Sequence, residues 1–269
     1  MTPSVFNASF FGVPNNGPIS VPIVLGTSDV NLIGNPYPSA VDIDLFMDLN
    51  GDTGTNVVDK TIYLWTHNTP ITNNNYTNSD YAVYNYMGGV GTSAAPGANS
   101  NVPNGNIASG QSFFIKGLSA GTALFNNSMR IAGNNNQFFR SAGDKSRIWL
   151  QIYDGAAGYK QALVGYAAGA TDGIDSGYDG DLFASGNPVS IYSLVGTHAL
   201  TIQGRALPFE DTDVIPLGYS ATAPGNLTIG LHNFDGLFDA QNIYLKDKML
   251  QVLHDLKSSD YAFTSAQGT

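Results

Sequence analysis

Two prolines in three residues, Pro36 and Pro38, stand between a strand-like apolar run at Leu32 and Ile33 and a stretch with helical spacing. Proline has no N–H and fixes φ, so neither a sheet ladder nor a helix continues through Asn35-Pro36-Tyr37-Pro38. The chain must turn there. It restarts at Ser39, a good N-cap, after which Val41, Leu45 and Leu49 recur at helical intervals with Ile43 and Phe46 beside them. Residues 31–50 therefore read as strand, rigid corner, one short helix over 39–49, and the start of an acidic loop.

The rest of the chain argues against helix. It has 26 Asn, 31 Gly and 13 Pro, and 20 of its 21 acidic residues are Asp, with Glu210 the single Glu. These residues favour turns and disfavour helix interiors. Charged residues make up 12%, against about 25% in an average domain, so Asn, Ser, Thr, Gly and Tyr must supply the polar surface. Short apolar runs recur, notably 19–25, 30–33, 61–66, 80–86 and 107–116, then the pair 147–153 and 159–167 around a turn at 154–158. Segment 4–11 reads as an opening strand, with 19–25 as its return across Asn16-Gly17. Such spacing with turn residues between the runs is the sandwich pattern. The expectation is an all-β protein of two packed β-sandwich lobes, jelly-roll or immunoglobulin-like, with one short helix. The lobes span 1–140 and 145–269, divided by the polar, glycine-bearing segment 133–146.

A net charge of −10 and a pI near 4.5 repel phosphate backbones and anionic lipid, so nucleic acid is not an expected partner. No apolar run reaches the ~18 residues of a membrane span. There is no cysteine, hence no disulfide and no thiolate metal site. The first residues lack the basic and apolar regions of a signal peptide, which suggests a domain cut from something longer.

Two acidic loops have the composition of hard-cation sites. Asp48, Asn50, Asp52 and Asp59 occupy positions 1, 3, 5 and 12 of an EF-hand-like oxygen cage for calcium. Thr53 stands at position 6 where that loop needs glycine, and Asp59 is shorter than the usual Glu. Asp172, Asp175, Asp179 and Asp181 crowd a second loop, where like charges repel unless a cation or wide solvation relieves them. The plain alternative for the first is an Asp/Asn/Gly turn capping its own backbone, and for the second a solvated acidic loop. Tyr63, Trp65, Tyr84 and Tyr86 fall on alternate strand positions, and such rings stack on sugar faces or fill a core. The histidines, His67, His198, His232 and His254, are far apart, and no nucleophile elbow, P-loop or zinc-protease motif occurs. A catalytic role is not expected.

The strings LIGNPYPSAVDIDLF, YLWTHN, GQSFFIKG, FNNSMR, RIWLQIYD, KQALVGYAAGATDGIDSGYDGD, IQGRALPF, DVIPLGY and GLFDAQNIYLKDK resemble one module across nearly the whole chain. It is the region preceding the C-terminal sorting domain in large exported and surface proteins of Flavobacterium-like Bacteroidota, cargo of the type IX secretion system. The resemblance implies an all-β fold and an extracellular or outer cell-surface location, and it assigns no catalytic residue. In that module a further strand follows Ala262-Phe263-Thr264, and this chain stops before it. Either the sequence ends early or that strand is supplied from elsewhere, and an edge left open would template pairing with neighbouring copies, as in a filament or matrix. The functional expectation is a non-catalytic surface structural or adhesion module. The rival is a calcium-assisted carbohydrate-binding module whose partner is a surface glycan.

Overall fold

A tyrosine and an asparagine lock the proline corner. In the computed structural model, which describes residues 11–51, 56–66, 80–92, 102–132, 145–156, 158–182 and 187–268, Asn35 is buried and its amide donates to Ser39 O (2.8 Å), Ile107 O (3.0 Å) and Ala108 O (3.1 Å). Its oxygen accepts from Tyr37 N (2.9 Å). Tyr37 is 2% exposed, donates to Gly17 O (2.5 Å), and lies under the Arg130 guanidinium at 5.2 Å. The junction is fixed because these side chains replace the ladder that proline interrupts.

The first lobe contains β1 (Ile19–Ile23), β2 (Val30–Gly34), β3 (Val41–Asp42), α1 (Ile43–Gly51), β4 (Val58–Trp65), β5 (Tyr81–Asn85), β6 (Gly88–Val90), β7 (Asn106–Ile107), β8 (Ser112–Gly117) and β9 (Gly121–Phe125). Five strands form a sheet in the order β2-β8-β4-β5-β6, while β1 pairs with β9 and β3 with β7. Helix α1 and the β1–β9 ribbon cover one face. Phe46 packs tilted on Phe125 at 4.5 Å and edge-on to Phe113 at 5.8 Å, amid Ile62, Tyr84 and Ile115.

The helix begins four residues later than the spacing of Val41, Leu45 and Leu49 predicts. Val41 is held extended against Ile107 and Arg130, so Asp42 becomes the cap, accepting from Asp44 N at 3.0 Å. The buried stripe is Ile43, Phe46, Met47 and Asn50, whereas Leu45 and Leu49 are 39% and 36% exposed. The opening strand expected at 4–11 falls almost wholly outside the described residues, and β1 pairs instead with β9, about a hundred residues away.

The second lobe contains β10 (Ser146–Tyr153), β11 (Tyr159–Tyr166), β12 (Gly180–Asp181), β13 (Val189–Val195), β14 (His198–Arg205), β15 (Leu217–Ala221), β16 (Gly225–Asp235), β17 (Tyr244–Asp247), β18 (Val252–Asp255) and β19 (Tyr261–Ser265). Eight of these form one sheet in the order β15-β13-β14-β11-β10-β16-β19, with β12 on β14. Strand β14 pairs with β13 over residues 198–200 and in parallel with β11 over 202–205. The sheet therefore folds over its own core of Ile152, Tyr166, Ile191, Leu227, Phe238 and Tyr261. Its two ends meet. Beyond β19, Gly268 bridges to Ala221 of β15 through two backbone bonds of 2.9 and 3.0 Å, and Phe263 lies edge-on to Tyr219 at 5.1 Å.

Among the described residues about 50% are strand and 7% helix, an all-β fold. A third apolar cluster joins the lobes. Tyr63, Val83, Met87 and Val90 from the first meet Trp149, Leu163, Ala167 and Ile202 from the second. The strands at this junction are thus covered on both faces, which is why RIWLQIY and YKQALVGYA run apolar without strict alternation. Trp149 donates to Gly89 O at 2.8 Å across this seam. Arg147 bridges Asp235 and Met87 O and stacks on Trp149 at 4.7 Å.

Candidate functional site

A cleft of about 440 Å³ opens where the lobes meet, lined by Asp44, Asp48, Tyr86, Lys145, Ala167, Ala168 and Tyr178. Asp44 and Asp48 are four residues apart on α1, so they share one face. Tyr84 donates to Asp44 at 3.0 Å and Tyr86 to Asp48. The Tyr86 ring lies edge-on to Tyr178 of the second lobe at 6.0 Å, with Lys60 5.5 Å above it. Lys145 donates to the Tyr86 carbonyl. Gly177 makes this approach feasible: at φ +87°, an added Cβ would meet Tyr86 Cδ2 at 2.6 Å.

In the first acidic stretch, the two residues that fall on α1 point in different directions. Asp48 and Asn50 sit on α1, not in a loop, and two helical steps separate their directions by about 200°. Asp48 faces the cleft. Asn50 is buried and staples the helix to β9, donating to Phe46 O (2.8 Å) and Leu124 O (3.0 Å) and accepting from Leu124 N (2.7 Å). Asp52 lies outside the described residues. Asp59 accepts from Ser176 of the second acidic loop at 2.8 Å, and its carboxyl is raised above the ordinary range, chiefly by burial.

In the second loop each carboxylate has protein partners. Asp175 accepts from Thr171 N (2.6 Å) and Thr171 Oγ1 (2.8 Å). Asp179 accepts from Asp175 N (2.7 Å) and Gly204 N (3.0 Å), and burial pushes its pKa up to about 6 against those two donors. Asp172 lies 3.4 Å from Arg205. Asp181 contacts His198 at 2.7 Å and Lys116 at 3.7 Å. Among the described residues, no three His, Cys, Asp or Glu side chains form a group able to hold a metal ion.

The four aromatics do not form one platform. Ile62 pairs with Tyr84 and Tyr63 with Val83, which puts the two tyrosines on opposite sheet faces. Tyr84 is 5% exposed in the first core and Tyr63 is 4% exposed between the lobes, where burial raises its pKa far above the usual range. Trp65 is 44% exposed at the end of β4. Of the four, Tyr86 alone lines the cleft. His254 bonds Ser259 O at 2.8 Å, burial lowers the pKa of His232, and His67 lies outside the described residues.

Sequence reasoning missed Asp44, Tyr178 and Lys145. The i, i+4 pair of acids on a helix surface was a readable signal for Asp44. Nothing local pointed to Tyr178 or Lys145, because folding of one lobe on the other brings them to α1.

No curated protein matches the chain, and no solved structure matches it. A family model spans residues 1–269, and the chain accordingly belongs to that family, described as Domain of unknown function (DUF8693).

Proposed function

We infer that this chain is a non-catalytic structural or adhesion module of the extracellular or outer cell surface, carried as type IX secretion cargo by a Flavobacterium-like bacterium. The observation that carries this reading is the third apolar core, with Met87, Trp149 and Leu163 among its members, which joins the two β lobes into one block. Such a block suits spacing, adhesion or ordered assembly; the edge expected after Thr264 is met by β15 through the Gly268–Ala221 bridge, and the edge offered to a neighbouring copy becomes β2, at the end of the five-stranded sheet. Shifted titratable groups add support. Burial is the largest cause at Asp59, Tyr63, Lys160 and Asp179, and none of the four lines the cleft. The test is labelling of intact, unpermeabilised cells with an antibody to this chain. Labelling that disappears when type IX secretion is disabled is the expected result. Signal appearing only after lysis overturns the surface assignment.

A second reading, a carbohydrate-binding module, is favoured by the cleft between the lobes. Its calcium-assisted form requires Asp48, Asn50, Asp52 and Asp59, or Asp172, Asp175, Asp179 and Asp181, to exchange protein donors for an ion. Calorimetric titration with calcium chloride decides that form: heat of binding supports it, and a flat titration removes it.

A further inference from the structure

We propose that the cleft between α1 and residues 167–178 binds an uncharged saccharide, one or two sugar rings of a larger glycan. The proposal rests on the carbohydrate-binding reading and is independent of where the protein resides. At about 440 Å³ the cleft falls within the roughly 300–1,000 Å³ of small-molecule sites, which favour junctions between domains.

Its chemistry selects hydroxyl groups. Asp44 and Asp48 stand one helical turn apart, and each is held in place by a tyrosine hydroxyl from β5 or the residue after it. An ionised carboxylate accepts about four hydrogen bonds, and the tyrosine supplies one of them. Neighbouring sugar hydroxyls are donors at a spacing that two such acceptors can share. The rings of Tyr86 and Tyr178, edge-on to each other, supply the cleft's aromatic surface, against which the C–H groups of a pyranose pack. Ala167 and Ala168, each with a single methyl as side chain, complete the lining and leave room for it.

Charge narrows the class further. Two carboxylates and one ammonium, that of Lys145, line the cleft, while Lys60 stands over the Tyr86 ring outside the lining. The net negative lining repels a uronate and leaves neutral saccharides, whose hydroxyls need no counter-charge.

The test is saturation-transfer NMR on the full chain with cellobiose, maltose and mannobiose as probes. Transfer to at least one disaccharide is expected. Asp48→Asn should weaken binding about tenfold, the size of one lost charged hydrogen bond. Tyr178→Ala should abolish transfer, and Trp65→Ala, outside the cleft, should leave it unchanged. Asp48 is on an exposed helix face, so that variant remains decisive if Tyr178→Ala fails to fold. No transfer from any of the three, or equal transfer to wild type and Asp48→Asn, overturns the proposal. Either result leaves the surface labelling experiment standing separately.

Discussion

Gly165 and Met87 offer the sharpest test of how the lobes pack. Gly165 is on β11, Met87 follows β5, and a Cβ added at Gly165 would lie 2.5 Å from Met87 Cε and 2.9 Å from Arg147 Cγ. Ordinary carbon contacts are ~3.5–4.0 Å, so Gly165→Ala drives a methyl about 1 Å too close to a fully buried neighbour. Overpacking of this kind costs about 1–3 kcal/mol, reduced by up to ~1 kcal/mol because alanine restricts the unfolded chain. Met87→Ala, at 0% exposure, should cost about 2–5 kcal/mol through the cavity it leaves. In the double variant the new methyl occupies part of that cavity. The combined loss should then fall short of the sum by about 1 kcal/mol or more. For a chain of this size, each kcal/mol moves the melting temperature by roughly 2–4 °C, which scanning calorimetry resolves. A double variant whose loss equals the sum within ~0.5 kcal/mol means that Met87 does not touch Gly165, and the proposed seam between the lobes is wrong.

Three further outcomes follow from the same geometry. Asn35→Ala strips four hydrogen bonds from a buried corner and should cost about 2–4 kcal/mol in urea unfolding, while a loss below ~0.5 kcal/mol would show that the prolines alone hold the turn. Asp179 binds its proton more tightly folded than unfolded, with a pKa of about 6 against an ordinary 3.8, so its contribution is full below pH 4 and disappears as the pH rises through 6. Wild type should therefore gain about 1–2 kcal/mol relative to Asp179→Asn between pH 7 and pH 4.5, after allowance for solvent screening, and parallel pH profiles would refute this. Met249, 90% exposed at the turn between β17 and β18, should tolerate Met249→Ser within ~0.5 kcal/mol by thermal melt; a larger loss would mean that the turn is packed rather than exposed.

Much of the architecture was local and readable. Pro36 and Pro38 forbade continuation, turn-forming Asn, Gly and Asp separated short apolar runs, and the scarcity of helix formers left β structure as the outcome. The helix start was less readable, because the Val41–Ile107 pairing that delays it joins residues far apart in the chain. The same limit applies to the candidate sites. Asp48 and Asn50 share a cation-like spacing, yet helix rotation sends one to the cleft and the other to β9. Tyr63 and Tyr84 look alike on their strands, and each faces a different core because α1 and the β1–β9 ribbon cover one side of the sheet and the second lobe the other.

Sequence alone determined where the backbone must turn, the β class of the chain, and the low charge of its surface, since these depend on φ restriction, propensity and composition within a few residues. Tertiary structure decided which faces are inside, because a strand side chain is buried only if another layer lies against it. It also decided that Asp44 and Asp48 meet Tyr178 and Lys145, side chains about a hundred or more residues away, through packing of one lobe on the other.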